Sequence, residues 1–169
     1  MNKMKNKILS VFMLLLLFVV KPTEVSAVEK YRAVDGDSLE KGTLRIRLID
    51  IDAPELFQEC YDENNNAYEC GIKATNELRK YIAGGIICKR DGVDRYKRSL
   101  MECFDKKGES INRKMVLSGW AVAYGDKFKN EEIEAKNKNI GIWKGRFMRP
   151  ELYRALHKNQ KNSNKFEKR

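Results

Sequence analysis

The residues with the most chemistry in this sequence stand in three short segments. Arg47-Leu48-Ile49-Asp50-Ile51-Asp52-Ala53-Pro54-Glu55 is a strand pattern that runs out into a loop carrying acids and a proline. Pro54 ends strand pairing and fixes the backbone, which suits a place where a strand hands side chains to a ligand. Upstream, Asp35-Gly36-Asp37-Ser38 is a second acidic turn. Downstream, Asp94-Arg95-Tyr96-Lys97-Arg98 puts basic and aromatic residues at the tip of a hairpin. Grouped carboxylates are the donors that hard cations and proton transfers use, and guanidinium groups pair with phosphate or carboxylate oxygens. Taken singly, each acidic segment reads as ordinary solvated turn chemistry, because aspartate and glycine favour turns.

The elements that must position these segments are legible as periodicities. Leu44, Ile46 and Leu48 alternate with Arg45 and Arg47, the period-2 pattern of a strand with one buried face. Residues 71–83 change to helical spacing, closed by Gly84-Gly85, and residues 86–90 and 99–104 form the arms of an antiparallel hairpin folded about Arg95 and Tyr96. Short helices follow over 112–117 and 131–138. Strict alternation would put Arg47 and Asp52 on opposite faces, so the chain must twist or bulge between them. Trp120 and Trp143 read as core. Strands and hairpins around one helix, then further helices, predict an α+β fold: a five-stranded antiparallel oligonucleotide-binding barrel with about three packed helices.

Of the 169 residues, the first 27 read as a cleaved signal peptide: Lys3, Lys5 and Lys7, an apolar run over 8–20, then small residues at Val25-Ser26-Ala27. A retained membrane anchor is disfavoured, because that apolar run is shorter than the roughly 20 residues a membrane span needs. The chain would then be exported, to a periplasm or to the medium, with no membrane attachment after cleavage. One domain over 28–156 would precede a lysine- and asparagine-rich tail over 157–169 with little to bury, expected to be disordered. The net charge of +10 becomes +7 once the four lysines and one glutamate of the leader are removed. That surplus favours a polyanionic partner. Cys60, Cys70, Cys88 and Cys103 all follow the leader, so disulfides are expected. Four cysteines allow three connectivities. The hairpin favours one of them, since it sets Cys88 opposite Cys103 and leaves Cys60 to Cys70. A zinc site is disfavoured by the spacings and by a single histidine, His157.

Together the three segments resemble the thermonuclease family, the secreted staphylococcal-type nucleases. In that family an Asp-Gly-Asp-Thr turn, an arginine followed five residues later by Asp-Thr-Pro-Glu, and an Asp-Lys-Tyr-Gly-Arg hairpin build one active site on an oligonucleotide-binding barrel. Here they stand as Asp35-Gly36-Asp37-Ser38, Arg47 with Asp52-Ala53-Pro54-Glu55, and Asp94 to Arg98, in the same order over about residues 31–143.

The resemblance implies calcium held by Asp37, Asp52 and the Ala53 carbonyl, with Asp35 behind them; calcium takes six to eight oxygens of this kind. It implies Glu55 as general base, Arg47 and Arg98 as the phosphate clamp, and Arg95, Tyr96 and Tyr124 as substrate-binding residues. DNA and RNA would be hydrolysed with little sequence preference to 3′-phosphate ends, by a monomer without a stable protein partner. Serine, alanine and lysine at positions 38, 53 and 97 depart from the family's threonine, threonine and glycine. Lys97 matters most, because glycine suits a positive φ there. The two cysteine pairs suggest a disulfide-stabilised branch. Two other readings are a non-catalytic barrel that binds nucleic acid and an adhesive surface protein. The first has no use for both metal carboxylates and a base; the second leaves the acidic loop and hairpin arginine unexplained.

Overall fold

A computed structural model describes residues 30–167, with side chains through Lys158. The leader expected over residues 1–27 lies outside the described residues. Five strands make the main sheet: β1 (Arg32–Ala33), β2 (Ser38–Lys41), β3 (Leu44–Leu48), β7 (Ile87–Val93) and β8 (Ser99–Phe104), in the order β1-β2-β3-β8-β7. Two small sheets flank it, one pairing β4 (Ile51–Asp52) with β9 (Val122–Ala123) and the other β5 (Glu59–Tyr61) with β6 (Ala67–Glu69). Among the described residues four α-helices complete the α+β fold: α1 (Cys70–Ile82), α2 (Ile111–Leu117), α3 (Lys129–Asn137) and α4 (Pro150–Glu167).

The main sheet is mixed rather than wholly antiparallel, because β3 runs parallel to β8, with Arg47 opposite Leu100. β1 and β7 are its outer strands, as in a partly open barrel of the oligonucleotide-binding kind. The period-2 reading holds in both central strands. Ile46 and Leu48 of β3 face the core, as do Ser99, Met101 and Cys103 of β8. Against that face pack Ala74 and Leu78 of α1 and Ile111, Met115 and Val116 of α2. Ser110 caps α2, its hydroxyl accepting the Arg113 N–H. Trp120 and Trp143 are partly buried against the cores.

Both disulfides are those the hairpin geometry favours. Cys88 pairs in register with Cys103 and is bonded to it. Cys60 is bonded to Cys70, which clamps the β5–β6 hairpin to the start of α1. Tyr61 of that hairpin exchanges both backbone hydrogen bonds with Arg146, at 2.8 and 2.9 Å. The segment leading into α4 is thereby tied to the stapled hairpin.

The largest departure from the sequence pattern is α4. Disorder was expected from His157 onward, yet the backbone stays helical to Glu167. Pro150 occupies its first position, where a missing N–H costs nothing and φ is already helical, and no glycine or proline interrupts the helix after it. His157 therefore lies on a helix, its ring stacked on Tyr153.

Replacing Cys60 and Cys70 together by alanine should lower stability by about 2–3 kcal/mol, the entropy expected for a loop of this length. Chemical denaturation of the double variant checks this, and non-reduced peptide mapping of the parent should show Cys60–Cys70 and Cys88–Cys103.

Candidate active site

Asp37 opens the site at the start of β2. It is 1% exposed, and a close approach puts it there: a Cβ on Gly36 would lie 2.6 Å from that of Ala53 and 2.9 Å from that of Ala74. Only glycine lets this turn pack onto the Ala53 loop and α1. Asp35 accepts the Asp37 N–H at 3.0 Å, the Ser38 hydroxyl donates to Asp37 Oδ1 at 3.1 Å, and the Ala53 N–H donates to Asp37 Oδ2 at 2.7 Å.

Arg47 on the neighbouring strand donates to Asp37 Oδ1 and, through Nη2, to Asp52 Oδ1 at 2.7 Å. The required turn between Arg47 and Asp52 is made by Asp50, whose φ of 64° swings the chain after β3 so that both residues meet. Aspartate is among the few non-glycine residues that adopt this conformation at modest cost. Buried Asn112 of α2 donates to the Ile49 carbonyl at 2.9 Å and accepts from Cys103, and the Tyr124 N–H donates to the Asp50 carbonyl at 2.9 Å. Arg45, which the sequence could not separate from Arg47, is spent elsewhere: it donates to the Tyr96 carbonyl at 2.8 Å.

Glu55 reaches this centre through a residue the sequence reading missed. Arg154 of α4 donates Nη1 to Asp52 Oδ1 and Glu55 Oε1, both at 2.9 Å, and Nη2 to Asp52 Oδ2 at 3.0 Å. The Glu55 backbone N–H donates to Gln58 Oε1 at 3.2 Å, and Gln58 Nε2 donates to the Met148 carbonyl at 2.7 Å. Pro150 at a helix start was the available signal for a helix here, with Arg154 one turn further on.

The hairpin tip supplies Arg98. Asp94 accepts the N–H groups of Tyr96 and Arg98 on Oδ1, at 2.8 and 2.9 Å, and Arg98 Nε on Oδ2 at 2.7 Å. Held so, Arg98 Nη1 lies 3.5 Å from the Ser38 hydroxyl, on the Asp37 side of the site. Lys97 has φ 63°, the glycine-favouring conformation expected of it. Tyr96 is 58% exposed beneath the Arg95 and Arg98 guanidinium groups, and Tyr124 is also exposed. The structure thus brings Asp37, Asp52, Ala53, Glu55 and Arg47 together through shared hydrogen bonds, with Arg98 beside Ser38; Arg95 and Tyr96 lie with Arg98 on the hairpin tip, and Tyr124 is tied to Asp50 by its backbone N–H.

Burial pushes the Asp37 carboxyl up to about 8, against the pull of Arg47 and with Asp35 and Asp52 adding repulsion. Desolvation lowers Arg47, but the Asp37 and Asp52 charges outweigh it and keep the guanidinium firmly protonated. Arg154 is raised in the same way by Asp52 and Glu55, over its own desolvation. Asp94 is held low by its Arg98 and Tyr96 bonds despite desolvation. Among the described residues no three acids, histidines or cysteines converge as a ready-made chelate. A hard cation would instead use two carboxylates, backbone oxygen and water; the all-oxygen donors around Asp37 and Asp52 fit calcium and offer nothing to a thiophilic metal.

Residues 45–145 match the family described as Staphylococcal nuclease homologue. The chain belongs to that family. Its similarity to the succinoglycan biosynthesis protein ExoI of Rhizobium meliloti (strain 1021) is 33% identity over 117 residues, 66% of this chain and 61% of that protein. Endonuclease YhcR of Bacillus subtilis (strain 168) is 27% identical over 132 residues, 66% of this chain and 11% of that protein. An uncharacterised endonuclease of Escherichia coli O157:H7 is 29% identical over 123 residues, 66% of this chain and 73% of its own length. The chain therefore spans less than two thirds of the first two relatives. Asp37 and Arg154 both lie outside the residues matched to the family.

Folded Asp37 keeps its proton to about pH 8, whereas an unfolded aspartate loses it near 3.8. The folded state binds the extra proton between those values, so metal-free stability should fall as pH rises through that window. Thermal melts in chelator from pH 5 to 9 should show Asp37→Asn with a flatter profile and a higher midpoint than the parent at pH 8; parallel profiles would contradict this. Lys97→Gly should stabilise by about 0.5 kcal/mol, relief of left-handed strain exceeding the added chain entropy. Urea titration measures it.

Proposed function

We propose that this chain is a calcium-dependent nuclease that hydrolyses DNA and RNA phosphodiester bonds with little sequence preference, leaving 3′-phosphate ends. The observation that supports it most is Arg47 bridging two buried carboxylates, Asp37 and Asp52, with Glu55 gathered beside them. Two of the relatives above are named endonucleases. On this reading Asp37, Asp52 and the Ala53 carbonyl hold calcium, which when bound polarises a phosphoryl oxygen and offsets charge developing on it.

Glu55 takes a proton from the water that attacks phosphorus. The P–O5′ bond breaks, the phosphate stays on the 3′ oxygen, and the departing 5′ oxygen is protonated from solvent. Arg47 and Arg98 bind the phosphate oxygens and stabilise their growing charge, with the fork geometry that lysine lacks. Asp94 is a positioning residue, since it fixes Arg98. Arg95, Tyr96 and Tyr124 grip the neighbouring nucleotides at the margin. These contacts go to the backbone and to ring faces, which accounts for low specificity. The disulfides fit an oxidising compartment, reached through a leader over residues 1–27, where the protein acts as a monomer. No described helix is long and apolar enough to cross a membrane.

Plasmid DNA and RNA incubated with the protein should be degraded with calcium and spared with chelator. The fragments should be inert to primer extension by a polymerase until a 3′-phosphatase treats them, and should accept a 5′-phosphate from a kinase directly. Glu55→Gln should slow cleavage by roughly 10²-fold or more, in the range of general-base loss, while leaving calcium binding largely intact. Gel retardation without cleavage would instead favour a non-catalytic nucleic-acid binder.

A further inference from the structure

Arg154 has a more specific place than a surface arginine. One guanidinium takes both oxygens of Asp52, at 2.9 and 3.0 Å, and one oxygen of Glu55 at 2.9 Å. Asp52 Oδ1 also takes Arg47, so this carboxylate lies between two guanidinium groups. The delivery of Arg154 is built into the fold. Gln58 bonds both the Glu55 N–H and the Met148 carbonyl, Arg149 pairs with Glu132 at 3.3 Å, and the Tyr153 hydroxyl lies 3.5 Å from the Phe57 carbonyl. The turn that carries Glu55 and the helix that carries Arg154 are therefore fastened to each other.

The Arg154 fork takes one lone pair on each Asp52 oxygen and Arg47 takes another on Oδ1, so of the roughly four that a carboxylate offers about one is left for a cation, and the positive charges repel. We propose that Arg154 is a positioning residue that stands in for the cation: it holds Asp52 and Glu55 together in the metal-free protein and yields Asp52 when calcium binds. This rests on the calcium-nuclease reading. The fastened helix keeps the released guanidinium close to Glu55, so calcium binding becomes coupled to the state of α4. A residue that served only to dock α4 would leave calcium affinity unchanged.

Calorimetric titration of the full protein with calcium chloride separates these cases. Arg154→Met should bind calcium roughly fivefold or more tighter than the parent, within the usual range of coupling between sites. Arg154→Lys keeps the charge without the fork and should fall between them. In chelator Arg154→Met should melt below the parent, since Asp52 loses a partner, and saturating calcium should narrow that gap. Equal or weaker affinity in Arg154→Met, or parent-like affinity in Arg154→Lys, would overturn the competition. Absence of calcium binding by the parent and both variants would overturn the calcium reading itself. Should Arg154→Met fail to fold, guanidinium NMR of the parent decides: the Arg154 N–H signals should be slowed in exchange in chelator and lose that protection with calcium. Signals indifferent to saturating calcium would refute the proposal.

Discussion

Everything in the site is arranged around one guanidinium between two desolvated carboxylates. Ionised together, Asp37 and Asp52 would repel each other in a buried setting; burial holds a proton on Asp37 to about pH 8, and Arg47, bonded to both, offsets the repulsion once that proton leaves. Breaking a buried pair by removing one partner typically costs about 3–5 kcal/mol, because a charge is left behind without compensation. That cost also fixes strand register. Ser38 lies opposite Arg47 across β2 and β3, and a slip of one residue would turn Arg47 into the core and Ile46 out of it. The hydrophobic alternation of β3 and the ion pair therefore demand the same alignment.

The irregular parts of the backbone serve that alignment. A straight extension of β3 would carry Asp52 away from Arg47, and the left-handed residue Asp50 reverses this. Such a turn exposes carbonyls that need partners in a protein interior. Asn112 takes the Ile49 carbonyl and the Tyr124 N–H takes that of Asp50, so the turn is paid for by bonds from α2 and from the end of β9. Gly36 does the same work on the other side, by allowing the acidic turn to lie directly on Ala53. Disturbance of α2 would therefore reach Asp52 without any contact between them.

What the sequence made legible was local. Alternation in β3, helical spacing in α1 and the facing cysteines of the β7–β8 hairpin each need only neighbours or a short loop, and the structure follows them. The parallel pairing of β3 with β8 was missed because two strands separated by a helix and a hairpin carry no local mark of their relative direction. Asn112 and Gln58 were missed because a buried amide is indistinguishable in sequence from an exposed one; only the tertiary contact gives it a role. Arg154 lies 102 residues from Asp52, at the end of the expected domain and just before the lysine- and asparagine-rich stretch read as a tail. Pro150, at the first position of α4, marks the helix that carries Arg154.

The two disulfides divide the labour of holding opposite sides of the site. Cys88–Cys103 ties the arms of the hairpin whose tip carries Arg98, and Asp94 then fixes that arginine relative to the tip. Cys60–Cys70 binds a separate hairpin to α1, and Tyr61 passes the constraint to Arg146 and so to the start of α4. Arg98 and Arg154 thus approach the carboxylates from separately stapled supports, while Arg47 comes from the sheet itself. Each long side chain would otherwise lose much rotamer freedom on ordering. Fixing the supports beforehand, by covalent links that also restrict the unfolded chain, reduces what the site itself must order. In a small domain, where the fraction of surface buried on folding is modest, such links add to what the core alone can do to hold charged groups this close together.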